Sequence, residues 1–203
     1  MIVIIDYGMG NLGSIKNMLK RIGFDSKISS DRPDIENADK VILPGVGAFD
    51  NGMKNLSERG LISILENVVL KGKTPILGIC LGMQLLTNKS EEGNLCGLSW
   101  IDAETIRFKF DEGSKLKIPH MGWNIACCKT PSLLTENIGH EPRYYFVHSF
   151  HVVCKDSANE ILRTHYGFEF TSAVQKGNIY GVQFHPEKSH KYGMKILENF
   201  CKL

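Results

Sequence analysis

Cys80 has Gly78 two positions before it and Gly82 two positions after it, inside the stretch Thr74-Pro75-Ile76-Leu77-Gly78-Ile79-Cys80-Leu81-Gly82-Met83-Gln84-Leu85-Leu86. The apolar run Ile76 to Ile79 predicts a short buried strand, and a helix is predicted to start at Leu81. A nucleophile on the turn between them, with glycine on both sides, matches the Gly-x-nucleophile-x-Gly elbow, with cysteine where serine often stands. Such a turn leaves no room for β-carbons beside the nucleophile and strains its backbone. It lifts the sulfur above the sheet edge and aims the first N–H groups of the helix at it, which favours thiolate over thiol. A buried cysteine in an ordinary strand–helix turn reads the same way over this stretch, so the chemistry needs a second group.

That second group stands far downstream, in Gly181-Val182-Gln183-Phe184-His185-Pro186-Glu187-Lys188-Ser189. His185 follows an apolar strand, Glu187 lies two residues on, and Pro186 between them fixes φ and stiffens the turn. A cysteine nucleophile needs a base, and the base needs a group that holds its tautomer and stabilises its cation. His185 and Glu187 can supply both from one turn. Alone, a His-x-Glu sequence equally describes a solvated surface turn. A third segment is Pro44-Gly45-Val46-Gly47-Ala48-Phe49, which follows a predicted strand over Lys40 to Leu43. Its glycines free backbone N–H groups at a strand end, on the side where α/β sites form, although a plain strand–helix turn has the same composition.

The elements that must hold these residues follow from hydrophobic periodicity. Ile2 to Asp6 is a continuous apolar run ending in a carboxylate, as expected of a strand buried on both faces. Leu12, Ile15, Met18, Leu19 and Ile22 share one helical face, closed by Gly23. Leu61 to Leu70 is predicted helical. Up to Asn88 strands and helices alternate, which implies a parallel sheet covered on both faces. From Trp100 to Gln183 the strands are short and the turns frequent, among them Thr105 to Phe110, Asn124 to Cys128, Tyr144 to Val147, Val152 to Cys154 and Ile179 to Phe184. These are expected to be antiparallel, and Ser189 to Leu203 returns to helix. The expected fold class is therefore α/β: a mainly parallel central sheet flanked by helices and extended by antiparallel strands in the second half. With no repeat and no linker, residues 1–203 are expected to form one domain.

Several classes are disfavoured. Gly8-x-Gly10-x-x-Gly13 follows a strand, but the acidic residue expected after a second strand is not evident, so no nicotinamide cofactor is predicted. His148 and His151 lie in an extended segment, where their side chains are expected on opposite faces without a supporting cysteine or carboxylate cluster, so no metal is predicted. His120 and His165 are assigned to packing or surface hydrogen bonds. The net charge of +2, from 24 basic and 22 acidic residues without long blocks, argues for neither nucleic acid nor a membrane surface as partner. The six cysteines show no framework spacing, and the N-terminus lacks the pattern of a signal peptide. A cytoplasmic protein with free thiols is expected.

Taken together, Gly78-Ile79-Cys80-Leu81-Gly82-Met83-Gln84 and His185-Pro186-Glu187 resemble the class I (triad) glutamine amidotransferase family. Asp6 to Leu12, Pro44 to Phe49, Pro119-His120-Met121-Gly122-Trp123-Asn124 and Tyr145 to Phe150 extend that resemblance over nearly the whole chain. Within the family, the Pro-His-Met-Gly-Trp-Asn block and the Pro-Gly-Val-Gly loop are similar to the glutaminase subunits of imidazole glycerol phosphate synthase. The resemblance implies a Cys80–His185–Glu187 triad that hydrolyses L-glutamine to glutamate and ammonia without a cofactor. It implies an oxyanion hole from Val46, Gly47 and Leu81, and a glutamine pocket lined by Gly47, Gln84, His148, Ser149 and Phe150. The loop at Gly47 is expected to reorient before the hole is complete.

A glutaminase domain expected to take up all 203 residues would leave none of them to consume the ammonia. The partner implied by the resemblance is the (β/α)8-barrel cyclase subunit, in a heterodimer that makes imidazole glycerol phosphate and aminoimidazole carboxamide ribotide for histidine biosynthesis. Asn11, Trp123, Tyr145 and Lys188 match interface positions. The segment Gly97 to Glu104 is also similar to paralogues that supply ammonia for amidino-sugar formation in bacterial surface polysaccharides. A non-catalytic α/β binding protein with a redox-sensitive Cys80 is the alternative of another class.

Overall fold

Alternate residues of the first strand, β1 (Ile2–Ile5), enter opposite cores, Val3 and Ile5 on one side of the sheet and Ile2 and Ile4 on the other. That two-sided burial is what a continuous apolar run requires. The computed structural model describes residues 1–203. After β1 the chain runs through α1 (Leu12–Arg21), β2 (Ser26–Ser29), α2 (Arg32–Glu36), β3 (Lys40–Gly45), α3 (Phe49–Glu58), α4 (Leu61–Leu65), β4 (Ile76–Cys80) and α5 (Leu81–Leu85). The second half supplies β5 (Lys89–Ser90), β6 (Ala103–Arg107), β7 (His120–Ile125), β8 (Cys127–Cys128), β9 (Arg143–His148) and β10 (Phe150–Cys154). It ends with β11 (Glu160–Tyr166), β12 (Phe168–Lys176), β13 (Ile179–Val182) and α6 (His190–Lys202).

The main sheet has the order β2-β1-β3-β4-β13-β12-β10-β6-β5, with β11 joining β12 to β8 and with β7 and β9 forming a separate ribbon. Strands β2, β1, β3 and β4 are parallel neighbours, as the alternation of strand and helix predicts. Helix α1 presents Ile15 and Leu19 to the core, with Leu12, Met18 and Ile22 packed beside them. No helix is long and apolar enough to cross a membrane.

Three expectations need correction. Strand β13 lies among strands predicted antiparallel, yet it pairs parallel with β4 and antiparallel with β12. It is the seam between the two halves of the sheet, and only its position in the sheet fixes its direction. The short pair β5–β6 is parallel as well. The helix predicted over Leu61 to Leu70 is α-helical only to Leu65 and then widens to a π-helical turn at Glu66–Lys71. The wider turn lets the adjacent Val68 and Val69 enter the same core. The longest strands, β11 and β12, are not among those predicted from apolar runs, because residues such as Arg163, Thr171 and Ser172 interrupt their pattern.

Candidate active site

Three adjacent parallel strands, β3, β4 and β13, end together, with Gly45 opposite Cys80 and Ile79 opposite Val182. The carboxyl ends of parallel strands are where open α/β sheets gather ligands. Here those ends deliver the Pro44–Gly47 loop, the Cys80 elbow and the Gln183–Glu187 turn to one place. Val46, Gly47, Cys80, Leu81, His148 and His185 all line a cleft of about 310 Å³. Gln84, Ser149 and Phe150 line it too, so every predicted oxyanion and pocket residue reaches the same wall. A broader depression of about 720 Å³ between Cys128 and Glu136 holds no nucleophile–base pair.

Cys80 adopts φ 54° and ψ −111°. Positive φ at a residue with a β-carbon costs on the order of 1–3 kcal/mol and persists only where the surroundings enforce it. Close packing enforces it here. A β-carbon on Gly82 would overlap the Leu43 carbonyl oxygen of the neighbouring strand, and one on Gly78 would sit 2.7 Å from the Gly82 carbonyl oxygen. Helix α5 has only five residues, so the macrodipole expected at the elbow is small.

His185 is 1% exposed, and its Nδ1 lies 2.8 Å from Glu187 Oε1. A carboxylate only accepts, so Nδ1 carries the proton and donates, and Nε2 is left toward Cys80 across the cleft. That Nε2 is buried without a well-formed hydrogen bond. Burial pushes the His185 pKa down, but interaction with Cys80 and the hydrogen bond and charge of Glu187 outweigh it and lift the value to about 10. The turn is tied down from behind. His185 N–H donates to the Tyr145 carbonyl (2.9 Å), and Ser189 Oγ donates to the His185 carbonyl (2.6 Å) while accepting the Tyr145 N–H (2.9 Å).

In the loop that lines the cleft with Cys80, the N–H groups of Val46 and Gly47 have no acceptor within the protein. Gly47 holds φ 123°, a conformation side chains rarely adopt, and the loop before it is clamped by Tyr7, whose hydroxyl donates to the Pro44 carbonyl at 2.6 Å. Burial and the nearby Cys80 charge raise the Tyr7 pKa, so it remains a donor.

Two residues in the site escaped sequence reasoning. Gln183 is fully buried, donates from Nε2 toward Cys80 Sγ (3.7 Å) and accepts from Gln84 Nε2 (3.0 Å). A lone amide in an apolar strand end was its available signal. Glu92 puts a carboxylate in the cleft wall and accepts the Phe49 N–H at 2.9 Å, thereby pinning the start of α3. Nothing local in the sequence marks it.

Of the four predicted interface residues, Trp123 and Tyr145 meet edge-on at 6.2 Å, and Lys188 Nζ sits 5.5 Å from the Tyr145 ring centroid. Trp123 is 48% exposed and stacks on His190. The side chain of Asn11 caps α1, accepting the Ser14 N–H.

His148 and His151 do not point to opposite faces. Both pack on Phe108, with ring centroids 5.2 and 4.7 Å away, because the chain bends at Ser149 and strand alternation does not run through it. With His120 they form a buried set whose pKa values burial lowers to about 3 (His148) and about 4 (His120 and His151). The sign is fixed: a buried base with a depressed pKa stabilises the fold above its unfolded value of 6.5 and loses that contribution as pH falls towards 4. Each such histidine contributes up to about 1.4 kcal/mol per pH unit in that window. Thermal unfolding between pH 7 and 4.5 is expected to show a falling midpoint, with a shallower slope in His151→Leu. An unchanged slope in the variant would rule out this account.

The family described as "Glutamine amidotransferase class-I" matches residues 3–203. "Imidazole glycerol phosphate synthase subunit HisH 2" of Methanococcus maripaludis is 60% identical over 100% of this chain and 99% of its own. The protein of the same name from Pseudomonas aeruginosa is 48% identical over the full length of both. Among solved structures, one described as PurLQS from Thermotoga maritima superposes with a TM-score of 0.74 at 20% identity, covering 99% of this chain and 97% of that one. At that identity the likeness speaks for the fold.

Proposed function

Because the chain belongs to the class-I glutamine amidotransferase family, we propose that it is the glutaminase subunit of an imidazole glycerol phosphate synthase, releasing ammonia from glutamine for histidine biosynthesis. The observation that carries this reading is the buried Glu187–His185 pair facing Cys80 in one small cleft.

In the proposed reaction His185 takes the Cys80 proton through Nε2, and the raised histidine pKa keeps that proton on the ring beside the carboxylate of Glu187. The thiolate attacks the side-chain carboxamide carbon of glutamine, and the C–O π electrons move to oxygen. The free N–H groups of Val46 and Gly47, with that of Leu81, are the donors for that oxyanion. His185 then returns its proton to the departing nitrogen, the C–N bond breaks, and ammonia leaves a γ-glutamyl thioester. Water, deprotonated by His185, attacks the thioester to give glutamate and restore the thiol. Glu92 is assigned the α-ammonium of glutamine, since its carboxylate is the anionic group in the wall and one oxygen remains after the Phe49 bond. Gln84 and the Ser149–Phe150 backbone complete the pocket.

Ammonia released into water at neutral pH is mostly protonated and no longer nucleophilic, so direct transfer to a bound acceptor is the efficient design. The exposed Trp123, with Tyr145 and Lys188, is assigned to the surface that meets the barrel-shaped cyclase subunit, along with Asn11. Tyr145 connects that surface to His185 through its backbone carbonyl.

The test is a glutaminase assay of the purified chain alone, and with a cyclase subunit and its nucleotide substrate. Glutamate release coupled to imidazole glycerol phosphate formation is the expected result. Absence of glutamate release in both arms would overturn the reading. Stimulation only by a sugar-pathway partner would reassign the ammonia to amidino-sugar formation.

A further inference from the structure

The proposed reaction gives no step to the imidazoles of His148, in the cleft wall, and His120 beside it, and their hydrogen bonds have only one consistent polarity. His148 Nδ1 lies 2.7 Å from the Phe150 carbonyl oxygen, which can only accept, so Nδ1 carries a proton and donates. In neutral His148, Nε2 is then an acceptor, and the atom 3.0 Å from it is His120 Nδ1, which must donate. His120 Nε2 in turn accepts from Asn124 Nδ2 at 3.2 Å. Asn124 is itself fixed, because its Oδ1 accepts the Ile125 N–H and its Nδ2 also donates to the His165 carbonyl. Burial keeps both imidazoles neutral near pH 7, which the scheme requires.

The relay ends where the cleft wall is made. Phe150 follows the bend at Ser149 that separates β9 from β10, and its carbonyl receives only one other side chain, Gln84 Nε2, at a longer 3.4 Å. The bond from His148 is therefore the firmest side-chain restraint on that bend, and His148, Ser149 and Phe150 all line the cleft. We propose that His120 is a positioning residue for glutamine binding: by donating to His148 Nε2 it selects the tautomer that anchors the Phe150 carbonyl and so sets the Ser149–Phe150 wall. The inference rests on the reading of this cleft as the glutamine site.

Packing is the competing role, and the two roles rank substitutions in opposite orders. The His120 ring stacks between Phe146 (4.8 Å) and Tyr166 (4.0 Å). Phenylalanine preserves that stack and removes the donor. Asparagine loses the stack and keeps an N–H near the position of Nδ1.

The experiment is calorimetric titration of glutamine into the Cys80→Ala chain, alone and carrying His120→Phe or His120→Asn, with thermal melts alongside. His120→Phe is expected to weaken binding about ten-fold at a near-parental midpoint, the scale of one buried hydrogen bond. His120→Asn is expected to bind within about three-fold of the parent despite a lower midpoint. Equal binding by His120→Phe and the parent, or weaker binding by the asparagine variant than by the phenylalanine variant, would overturn the proposal. If the Cys80→Ala parent takes up no glutamine, the reading of the cleft fails first and this inference with it. Nitrogen-15 NMR of the unsubstituted chain needs no variant: His148 protonated on Nδ1 supports the relay, and protonation on Nε2 refutes it.

Discussion

Cys80→Ala is expected to lower glutamine-dependent synthesis by at least about 10⁴-fold, the scale on which removing a nucleophile from a catalytic unit acts. Ammonium salts added to the same complex should still support the partner's reaction at close to the parental rate. The reason is a division of labour. In the proposed reaction the sulfur is needed only to break the carboxamide C–N bond, and the acceptor chemistry is assigned to another chain. The substitution is also mild for the fold, because alanine keeps the β-carbon and relieves none of the packing that holds the elbow. Gly82 still has to pass against the Leu43 carbonyl. Steady-state rates with glutamine and with ammonium, measured on the assembled complex, separate the outcomes. Equal loss with both nitrogen sources would mean that Cys80 supports the assembly rather than the cleavage.

The second large effect belongs to Glu187. Glu187→Gln is expected to reduce kcat by about 10³–10⁴-fold with little change in KM, because an amide in that place can donate to Nδ1 and so hold the wrong imidazole tautomer. It also removes the negative charge that helps hold the His185 pKa at about 10. The linkage has a definite sign. A raised histidine pKa contributes stability that is fully present below 6.5 and is lost as pH climbs towards 10. The stability gap between the parent and Glu187→Gln should therefore narrow as pH rises through that window. Chemical denaturation at pH 6.5, 8 and 9.5 measures the gap. A kcat within ten-fold of the parent would reduce Glu187 to a structural partner of the turn.

The residues that do the proposed chemistry could be read because their types are rare in combination and their neighbours are local. Glycine on both sides of Cys80 marks an elbow, and Pro186 between His185 and Glu187 marks a stiff turn. Strand β4 and the start of α5 follow from the run Ile76 to Ile79 and its change of period. Gln183 and Glu92 were not legible in the same way. What makes Gln183 matter is that both its bonding partners, Cys80 and Gln84, come from another part of the chain. Glu92 matters because Phe49 of α3 reaches its carboxylate. The reading of His148 and His151 failed for a related reason. Strand alternation was extended through Ser149, where the chain bends, and one bend cancels the rule on both sides of it.

The sequence by itself picked out the candidate nucleophile, the candidate base and its orienting carboxylate, and the parallel character of the first half. Each of these depends on interactions over a few residues, where periodicity and glycine placement act directly. Only the tertiary structure decided that β13 lies parallel to β4, which brings His185 to Cys80. It alone decided that the Pro44–Gly47 loop lines the same cleft as Cys80 and that His120 and His148 are buried within hydrogen-bonding distance of each other. Those outcomes depend on pairing between distant strands and on burial against residues far away in the chain. No local pattern encodes such contacts, because the same short strand could pair in either direction until its neighbours are fixed.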